Sequence, residues 1–349
     1  MSVTPDLRDP PVPGGDGFRI VAPADHPEEV PALAEAGADE VYVGVLPPSW
    51  SERYGDWDCI SRRQGNIANL ASIEQMQHVA EQAGAAGLKA SLALNVRYTA
   101  GQVPEVADLA VAWEEAGGTA VILSSLGLLV RLQQLGSRLA RHISILANVT
   151  NSQAVAFYRE FGATRVILPR ELTVAEMAAV ASMQPDIEFE AMTLNEKCRF
   201  IDGLCGFYHG TTFPDDAASV FDYERSGRGG TPVVHSQDLC YAGHGCQVPF
   251  VDELGRAIPQ PPRDDVNRPA CAACDLMPLY EARVRLLKIG GRGLPTGLKL
   301  RAVSFLRRAC ELALDGSDVA EMRDHYERTF GRSCDGASCY YPSRVFAGD

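Results

Sequence analysis

The sequence predicts an α/β protein, a TIM-like (β/α)8 barrel that carries a long cysteine-rich insertion after its seventh strand. Short β-branched runs alternate with amphipathic segments rich in Ala, Leu and Glu, as expected for βα units around a parallel sheet. Four consecutive predicted strands begin at residues 119, 142, 165 and 188, at an even spacing of 23 residues. That spacing is close to the minimum for one βα unit. Cysteines gather in the interval that follows the seventh strand.

Eight strands are predicted along the chain, and most of the helical segments between them end in glycine, a common helix stop. The predicted strands are Phe18–Ala22, Glu40–Val45, Leu88–Leu94, Thr119–Leu123, His142–Leu146, Arg165–Leu168, Glu188–Met192 and Leu286–Ile289. A doubly wound open sheet would show the same alternation. The even spacing favours the closed barrel.

Two intervals break this rhythm. The segment PPSWSERYGDWDCISRRQGN lies between strands two and three, and residues 193–285 form the insertion after strand seven. We predict a disordered arm over residues 1–17, the barrel with its insertion over residues 18–310, and a C-terminal helix with a cysteine-containing tail over residues 311–349. Because barrel active sites are built from the loops after the strands, the insertion is expected to place its cysteines over the barrel mouth.

Composition and charge restrict the class of protein. Hydrophobic residues make up 46% and charged residues 22%, which is typical of a folded globular protein. No membrane span and no secretion signal are recognisable, so we expect a cytoplasmic protein whose cysteines serve metal or redox chemistry rather than disulfides. The net charge of -13 disfavours broad binding to nucleic acid or anionic membranes.

The cysteines are unevenly distributed. Of the ten, nine lie at or after residue 198, and six fall between Cys198 and Cys274. Thiolates bind both iron-sulfur clusters and structural zinc. A zinc ribbon usually has two CxxC pairs, whereas this stretch has one, so the pattern favours a cluster. Ordinary buried cysteines, with one zinc at most, are the alternative interpretation.

Cysteines elsewhere in the chain are interpreted separately. Cys59 and Cys310 are expected to be packing residues. Cys240, Cys334 and Cys339 are expected either to supply a second site or to replace one of the cluster ligands.

Several motifs, in matching order from about Phe18 to Arg292, resemble the U-32 peptidase family, also called collagenase-like proteases. They are FRIVAPADHPEEVPALAEAGADEVYVGV, ILANVTNSQAVAFYREFGATRVILPREL, the CRFIDGLC pair and LKIGGRG. The resemblance implies a barrel with a cysteine-bound 4Fe-4S cluster. The better understood relatives are oxygen-independent hydroxylases of ubiquinone precursors or RNA bases, with prephenate as the apparent hydroxyl donor.

The same resemblance implies a ligand set. Cys198 and Cys205 match the first two cluster ligands, Cys246 in GHGC matches the third, and the fourth falls on Cys271 or Cys274. The CAAC pair directly before DLMPLYEARVRLLKIGGRG and the terminal CDGASCYYP depart from the hydroxylases. The substrate is therefore left open.

Basic side chains follow two of the predicted strands. Arg170 comes after strand six, where a guanidinium could grip a carboxylate in bidentate fashion, as prephenate would require. Lys288 and Arg292, with the GGRG turn after strand eight, lie where barrels often bind anions. We therefore predict that these three residues bind an anionic co-substrate, with a solvated surface role as the alternative for the arginines.

Two further candidates have structural alternatives. Asn148 follows strand five and is expected either to bind a ligand or to cap a loop. Glu190 shares one face of strand seven with Glu188, and inside a barrel such a carboxylate must be paired or hydrogen-bonded. Pairing with Lys288 would make Glu190 structural.

Three functions are compatible with the sequence. The first is oxygen-independent hydroxylation, or related redox chemistry, on a small anionic or aromatic metabolite. The second is a cysteine or metal-dependent peptidase, although neither GxSxG nor HExxH is present. The third is a non-catalytic subunit whose partner, a second member of the family, carries the chemistry. RNA as substrate agrees with the resemblance but is disfavoured by the acidic charge.

Overall fold

The computed structural model describes residues 17–55, 58–63, 65–195, 197, 201–204, 269–334, 336 and 339–341. Residues 1–16 of the predicted arm and most of the long insertion, with Cys198, Cys205, Cys240 and Cys246, lie outside the described residues. Within them, eight parallel strands form a closed barrel in sequence order, because β1 pairs with both β2 and β8. The closed barrel is confirmed and the open sheet is excluded.

The strands lie close to their predicted positions. They are β1 Arg19–Pro23, β2 Glu40–Gly44, β3 Lys89–Leu94, β4 Ala120–Leu123, β5 Ala140–Ile143, β6 Ala163–Ile167, β7 Glu188–Leu194 and β8 Val284–Ile289. The prediction for β5 is wrong at its end, because the strand stops at Ile143 rather than Leu146. Ser144 ends it by capping a 3-10 turn, Ile145–Ala147, with its hydroxyl accepting from the Leu146 N–H at 3.2 Å.

Ten α-helices are found in the described part of the chain. They are α1 Glu29–Glu35, α2 Pro48–Tyr54, α3 Ile73–Ala85, α4 Val103–Glu115, α5 Leu126–Gln134, α6 Ser152–Glu160, α7 Val174–Ser182, α8 Leu276–Glu281, α9 Thr296–Leu314 and α10 Val319–Phe330. Several begin at side-chain caps, and α7 and α10 each begin with a full capping box, Thr173 with Glu176 and Asp318 with Glu321. The α9 helix passes through position 310, where we predicted the end of the barrel. No described helix is both long and apolar enough to cross a membrane.

The apolar core lies mainly between the strands and the surrounding helices. Trp50, Trp113 and Phe305 are among its largest fully buried members. A separate small apolar cluster lies inside the barrel and comprises Val21, Tyr42, Ile122, Ile167 and Leu286. TIM barrels commonly fill this space with layers of branched aliphatic side chains. Here charged side chains occupy much of it.

Candidate functional site

A network of charged side chains lies inside the barrel, centred on Arg165 of β6, which is 1% exposed. Its guanidinium donates to both carboxylate oxygens of Glu40, at 2.7 and 2.9 Å, and to Glu188 at 2.9 and 3.0 Å. It also donates to Glu190 at 2.9 Å, and Lys288 Nζ donates to the other oxygen of Glu190 at 2.8 Å. The predicted pairing of Glu190 with Lys288 is confirmed, and Glu188 shares its face. The prediction did not include Arg165.

The charges of this network balance. Arg19, at the start of β1, also donates to Glu40, at 3.4 Å, and to Glu188. Three carboxylates thus face the cations of Arg19, Arg165 and Lys288. Burying an unpaired charge is costly, whereas a fully paired set is tolerated. The network can therefore stay ionised inside the barrel.

The pKa directions agree with this pairing. Burial alone would raise the pKa of Glu40 and Glu188, but the charges and hydrogen bonds of Arg165 and Arg19 together outweigh burial and hold both pKa values below the ordinary one. Burial lowers the pKa of Lys288, and Glu190 opposes that shift. The carboxylates of Glu40 and Glu188 are consequently ionised at neutral pH.

His142, the register partner of Arg165 on β5, is a neutral side chain in this charged interior. Burial first, and then the nearby charges of Arg165 and Lys288, hold the pKa of His142 well below its ordinary value. Its Nδ1 is buried and has no hydrogen-bond partner among the described residues. The imidazole therefore remains uncharged at neutral pH.

The mouth of the barrel, where the strands end at their carboxyl side, is covered in part by residues 201–204. Arg170, after β6, forms a bidentate pair with Asp202, in which Nε lies 2.8 Å from Oδ2 and Nη2 donates to Oδ1. Arg62 Nη1 donates to the Asp202 carbonyl at 3.3 Å, and Arg97 Nη2 donates to the Gly203 carbonyl at 2.8 Å. Three arginines from three different loops therefore hold this short stretch. We name Arg62, Arg97 and Arg170 the mouth arginines.

Asn148 lies directly beneath the same stretch. It ends the 3-10 turn in a left-handed conformation, with φ 52°. A Cβ atom on Gly203 would lie 2.5 Å from the Asn148 Cβ, so only glycine fits at position 203 without displacement. Asn148 Oδ1 is buried and accepts no hydrogen bond from the described residues. Asn148 therefore caps the 3-10 turn, its N–H donating to the Ile145 carbonyl, which agrees with the capping alternative, whereas the N-cap of α6 is Asn151.

The turn after β8 is hydrogen-bonded to two other loops of the same chain. Arg292 is 5% exposed, and its Nη2 donates to Ser61 Oγ at 3.0 Å. The Gly293 N–H donates to Asp25 Oδ2 at 2.6 Å, and Lys299 pairs with the same carboxylate. The expected anion position at this turn is therefore taken by the carboxylate of Asp25, a residue that no sequence pattern indicated.

Four cysteines of the described residues, Cys271, Cys274, Cys334 and Cys339, line one pocket near the end of β7. We name it the four-cysteine pocket. Burial raises the pKa of the Cys271 thiol well above its ordinary value, and the neighbouring cysteines add to the shift. In the described part of the chain, no three His, Cys, Asp or Glu side chains converge closely enough to hold a metal ion. The side chains of this pocket are nevertheless those that thiophilic metals select.

The remaining cysteines divide into two groups. Cys59 and Cys310 are 0% and 2% exposed, as expected for packing residues. The predicted cluster ligands Cys198, Cys205 and Cys246 lie outside the described residues. Cys198 and Cys205 flank the stretch 201–204 in the sequence.

The mouth of the barrel has the side chains to bind a carboxylate. Arg170 already holds one in bidentate geometry, the arrangement that gives guanidinium-carboxylate pairs their strength. Signals for Arg62, Arg97 and Asp202 were weak in the sequence, because isolated charges in loops are usually solvated.

Relatives with known names match part of the chain. This chain is 30% identical over 170 residues to tRNA hydroxylation protein P of Escherichia coli (strain K12). The alignment covers 48% of this chain and 34% of that protein. The chain is 26% identical over 163 residues to a collagenase of Porphyromonas gingivalis, which covers 47% and 36% respectively. The alignments thus span about a third of the length of these relatives.

Among solved structures, the U32 peptidase Mk0906 aligns with a TM-score of 0.39 and 12% identity, over 52% of this chain and 70% of that chain. The model of peptidase family U32 matches residues 25–214, which is more than half of the 349 residues. The matched range includes six barrel strands, β2 to β7, and the mouth arginines. From the resemblance of its motifs and the extent of this match, the chain belongs to peptidase family U32.

Proposed function

We propose that this protein is an iron-sulfur enzyme that hydroxylates an aromatic or anionic small molecule without using molecular oxygen. The hydroxyl oxygen would come from an anionic organic donor of the prephenate class, which would be reduced by two electrons as it gives up the oxygen and the substrate is oxidised. The names of several relatives, which are tRNA hydroxylation proteins, support a hydroxylation reaction. The mouth arginines support an anionic donor.

The observation that carries the proposal is the bidentate pair of Arg170 with Asp202. The pair is 10% and 5% exposed, so both groups are largely shielded from water. A carboxylate of the donor would replace that of Asp202, and the freed stretch 201–204 would move aside. Arg62 and Arg97, which now donate to its backbone, would then be within reach of a second carboxylate.

Asn148 and the interior network would have different tasks. The buried Asn148 Oδ1 would accept a hydrogen bond from the substrate and orient it under the mouth. Lys288 lies 4.0 Å from the centre of the Tyr42 ring, with Arg292 5.9 Å from the same centre. These cations, with Glu190, would form the polar floor of the binding site. None of these residues needs to form a covalent bond.

The cluster would be held by Cys198, Cys205 and Cys246 together with a fourth thiolate. When bound, it would supply the electron-transfer or Lewis-acid chemistry that side chains lack. The sequence proximity of Cys198 and Cys205 to residues 201–204 supports a position beside the mouth.

Anaerobic reconstitution tests this proposal. We expect iron and acid-labile sulfide to bind in equal amounts, and Cys198→Ser to abolish both. The loaded protein, supplied with prephenate and candidate aromatic acids without oxygen, should yield a product heavier by one oxygen atom. Arg170→Lys should raise the donor concentration that gives half-maximal product formation, because lysine cannot form the bidentate pair. Absence of iron with sulfide after reconstitution would refute the proposal.

A second candidate substrate is an RNA base, which the tRNA hydroxylation relatives favour. The net charge of -13 opposes it, because affinity for RNA depends on phosphate contacts. Total tRNA offered in the same reaction distinguishes the two substrates. A modified nucleoside in digested tRNA, with no modified small molecule, would favour RNA.

Peptide hydrolysis is the other candidate activity, favoured by the collagenase relative. It predicts cleavage of gelatin that persists after iron is removed. We expect no cleavage under that condition.

A further inference from the structure

We propose that Arg62 binds a second carboxylate of the donor at the mouth, and that Asn95 is a positioning residue that holds Arg62 in place for it. Together they would favour donors with two carboxylates over donors with one. This inference rests on the proposed function, because it concerns the same mouth, and it adds a positioning residue and a specificity to that function.

Arg62 lies in the interval between β2 and β3 that breaks the rhythm of the strands. Its neighbours within residues 59–63 are at most 6% exposed, whereas Arg62 itself is half-buried. Its Nη1 donates to the carbonyl of Asp202, which is 140 residues away in the sequence. A tightly packed loop therefore directs one guanidinium to the mouth.

Arg62 and Arg170 contact the same residue. Arg170 pairs with the carboxylate of Asp202, with Nε 2.8 Å from Oδ2, and Arg62 Nη1 lies 3.3 Å from the carbonyl oxygen of Asp202. Both guanidiniums are therefore within hydrogen-bonding distance of the atoms of one residue. A small molecule that replaces Asp202 and carries two carboxylates has a guanidinium available for each of them.

The charge of Arg62 is not balanced within the described part of the chain. No described carboxylate contacts its guanidinium, and its Nε is buried there without a hydrogen-bond partner. A cation that loses water without gaining a counter-ion is costly, and a carboxylate would supply both the charge and the missing hydrogen bond. Arg97 is exposed, so its charge stays solvated. We therefore assign the second carboxylate to Arg62 rather than to Arg97.

Asn95 holds the backbone of Arg62. Its Oδ1 accepts a hydrogen bond from the Arg62 N–H at 3.0 Å. Asn95 directly follows β3, and its carbonyl accepts from the hydroxyl of Ser124, which follows β4, at 2.8 Å. Its Nδ2 donates to the hydroxyl of Ser144, which follows β5, at 3.5 Å. The contact with Arg62 is thus anchored at the ends of three neighbouring strands.

Other contacts fix the loop on either side of Arg62. The Tyr98 hydroxyl donates to the Ile60 carbonyl at 2.6 Å, and Asn69 Nδ2 donates to the Arg63 carbonyl at 2.9 Å. These contacts remain when the side chain of Asn95 is removed. That removal should therefore release Arg62 without detaching the rest of the loop.

Anaerobic calorimetry on the reconstituted full chain tests the inference with two ligands. Prephenate carries two carboxylates, whereas phenylpyruvate has the same side chain and only one. Affinity for prephenate should fall about tenfold or more in Arg62→Ala, which loses a charge-assisted contact, and about threefold or more in Asn95→Ala. Affinity for phenylpyruvate should be unchanged in both variants.

Arg53→Ala is the matched control. This guanidinium comes from the same interval, is 66% exposed and pairs with Glu105 of α4. The variant should keep the wild-type affinity for both ligands.

The double variant Arg62→Ala, Asn95→Ala separates positioning from direct contact with the ligand. Because Asn95 acts only through Arg62, the double variant should bind prephenate no more weakly than Arg62→Ala does. Losses that add would overturn the role of Asn95. Should Asn95→Ala fail to fold, Arg62→Ala still decides, because an unchanged preference for prephenate in that variant contradicts the assignment.

The wild-type protein distinguishes this inference from the proposed function. Equal affinity for the two ligands, with binding of both lost in Arg170→Met, would overturn the inference and leave the donor site at Arg170 in place. No binding of either ligand would refute the donor site and the inference together.

Discussion

Arginine binds carboxylate in two regions of this barrel, and the surroundings of the two pairs differ. In the interior, Arg165 contacts three glutamates from β2 and β7 and is fixed by strands on both sides. At the mouth, Arg170 contacts one aspartate, which belongs to a short stretch of loop. Ion pairs buried among strands have no alternative partner, whereas a loop can withdraw its carboxylate. The interior pairs therefore stabilise the fold, and the mouth pair is suited to exchange with a ligand.

Replacing Arg165 should have the largest effect. Arg165→Met leaves Glu40, Glu188 and Glu190 buried without their main partner, so we expect the free energy of unfolding to fall by about 3–5 kcal/mol. Urea denaturation measures it. Arg159→Met removes an exposed pair with Asp186 and is the control, with a change of at most about 1 kcal/mol. Equal effects in both variants would contradict a structural role for the interior network.

Because His142 is buried in the interior network, we also expect the free energy of unfolding to depend on pH. The folded protein keeps His142 neutral because its pKa is depressed, whereas the unfolded chain takes up a proton below about pH 6.5. Acidification therefore favours unfolding, by up to about 1.4 kcal/mol for each pH unit below that value. Denaturation curves on either side of pH 6.5 give the slope.

His142→Leu should remove this part of the slope. The exposed His78 of α3 offers the matched control, since His78→Gln leaves the interior unchanged. A slope that persists in the His142 variant would assign the pH dependence to other groups.

Replacing Arg170 should affect stability less and binding more. In Arg170→Met the stretch 201–204 can turn Asp202 toward water, so we expect a loss of about 1–2 kcal/mol. Calorimetry should detect no binding of prephenate to this variant. Arg138→Met, which removes a guanidinium that is 90% exposed, is the control for both measurements. A loss of stability equal to that of Arg165→Met would mean that the mouth pair is structural as well.

The smallest effect on stability is expected at Gly203. Gly203→Ala places a Cβ 2.5 Å from the Asn148 Cβ and should lift the stretch 201–204 from the mouth, at a cost of about 1 kcal/mol or less. This displacement should be detected as faster hydrogen exchange at residues 201–204, with unchanged exchange in the strands. Gly297→Ala is the control, because a Cβ there meets no atom within 4 Å.

Local sequence patterns predicted the barrel well. Alternating apolar runs and glycine stops placed each of the eight strands, because strand and helix periodicities are local properties of the chain. These patterns failed at the end of β5. The apolar run continues in the sequence, but the strand ends because the Ser144 hydroxyl caps a 3-10 turn there. Glu190 and Lys288 could be paired in advance, because both lie on strands whose order was already predicted.

Other parts of the site depended on contacts between distant residues. Arg165 pairs with Glu40, which is 125 residues away in the sequence, and an arginine within a strand gives no local sign of being buried. The ion pair of Arg170 with Asp202 likewise required residues 201–204 to lie over the mouth.

The sequence by itself determined the strands, the helices, the closed order of the barrel and the concentration of cysteine. Only the tertiary structure decided which charges meet in the interior and that Cys271 lies beside Cys339, 68 residues further along. The physical reason is that periodicity is set by neighbours in the chain. Burial and ion pairing are set by residues that meet only when the barrel closes.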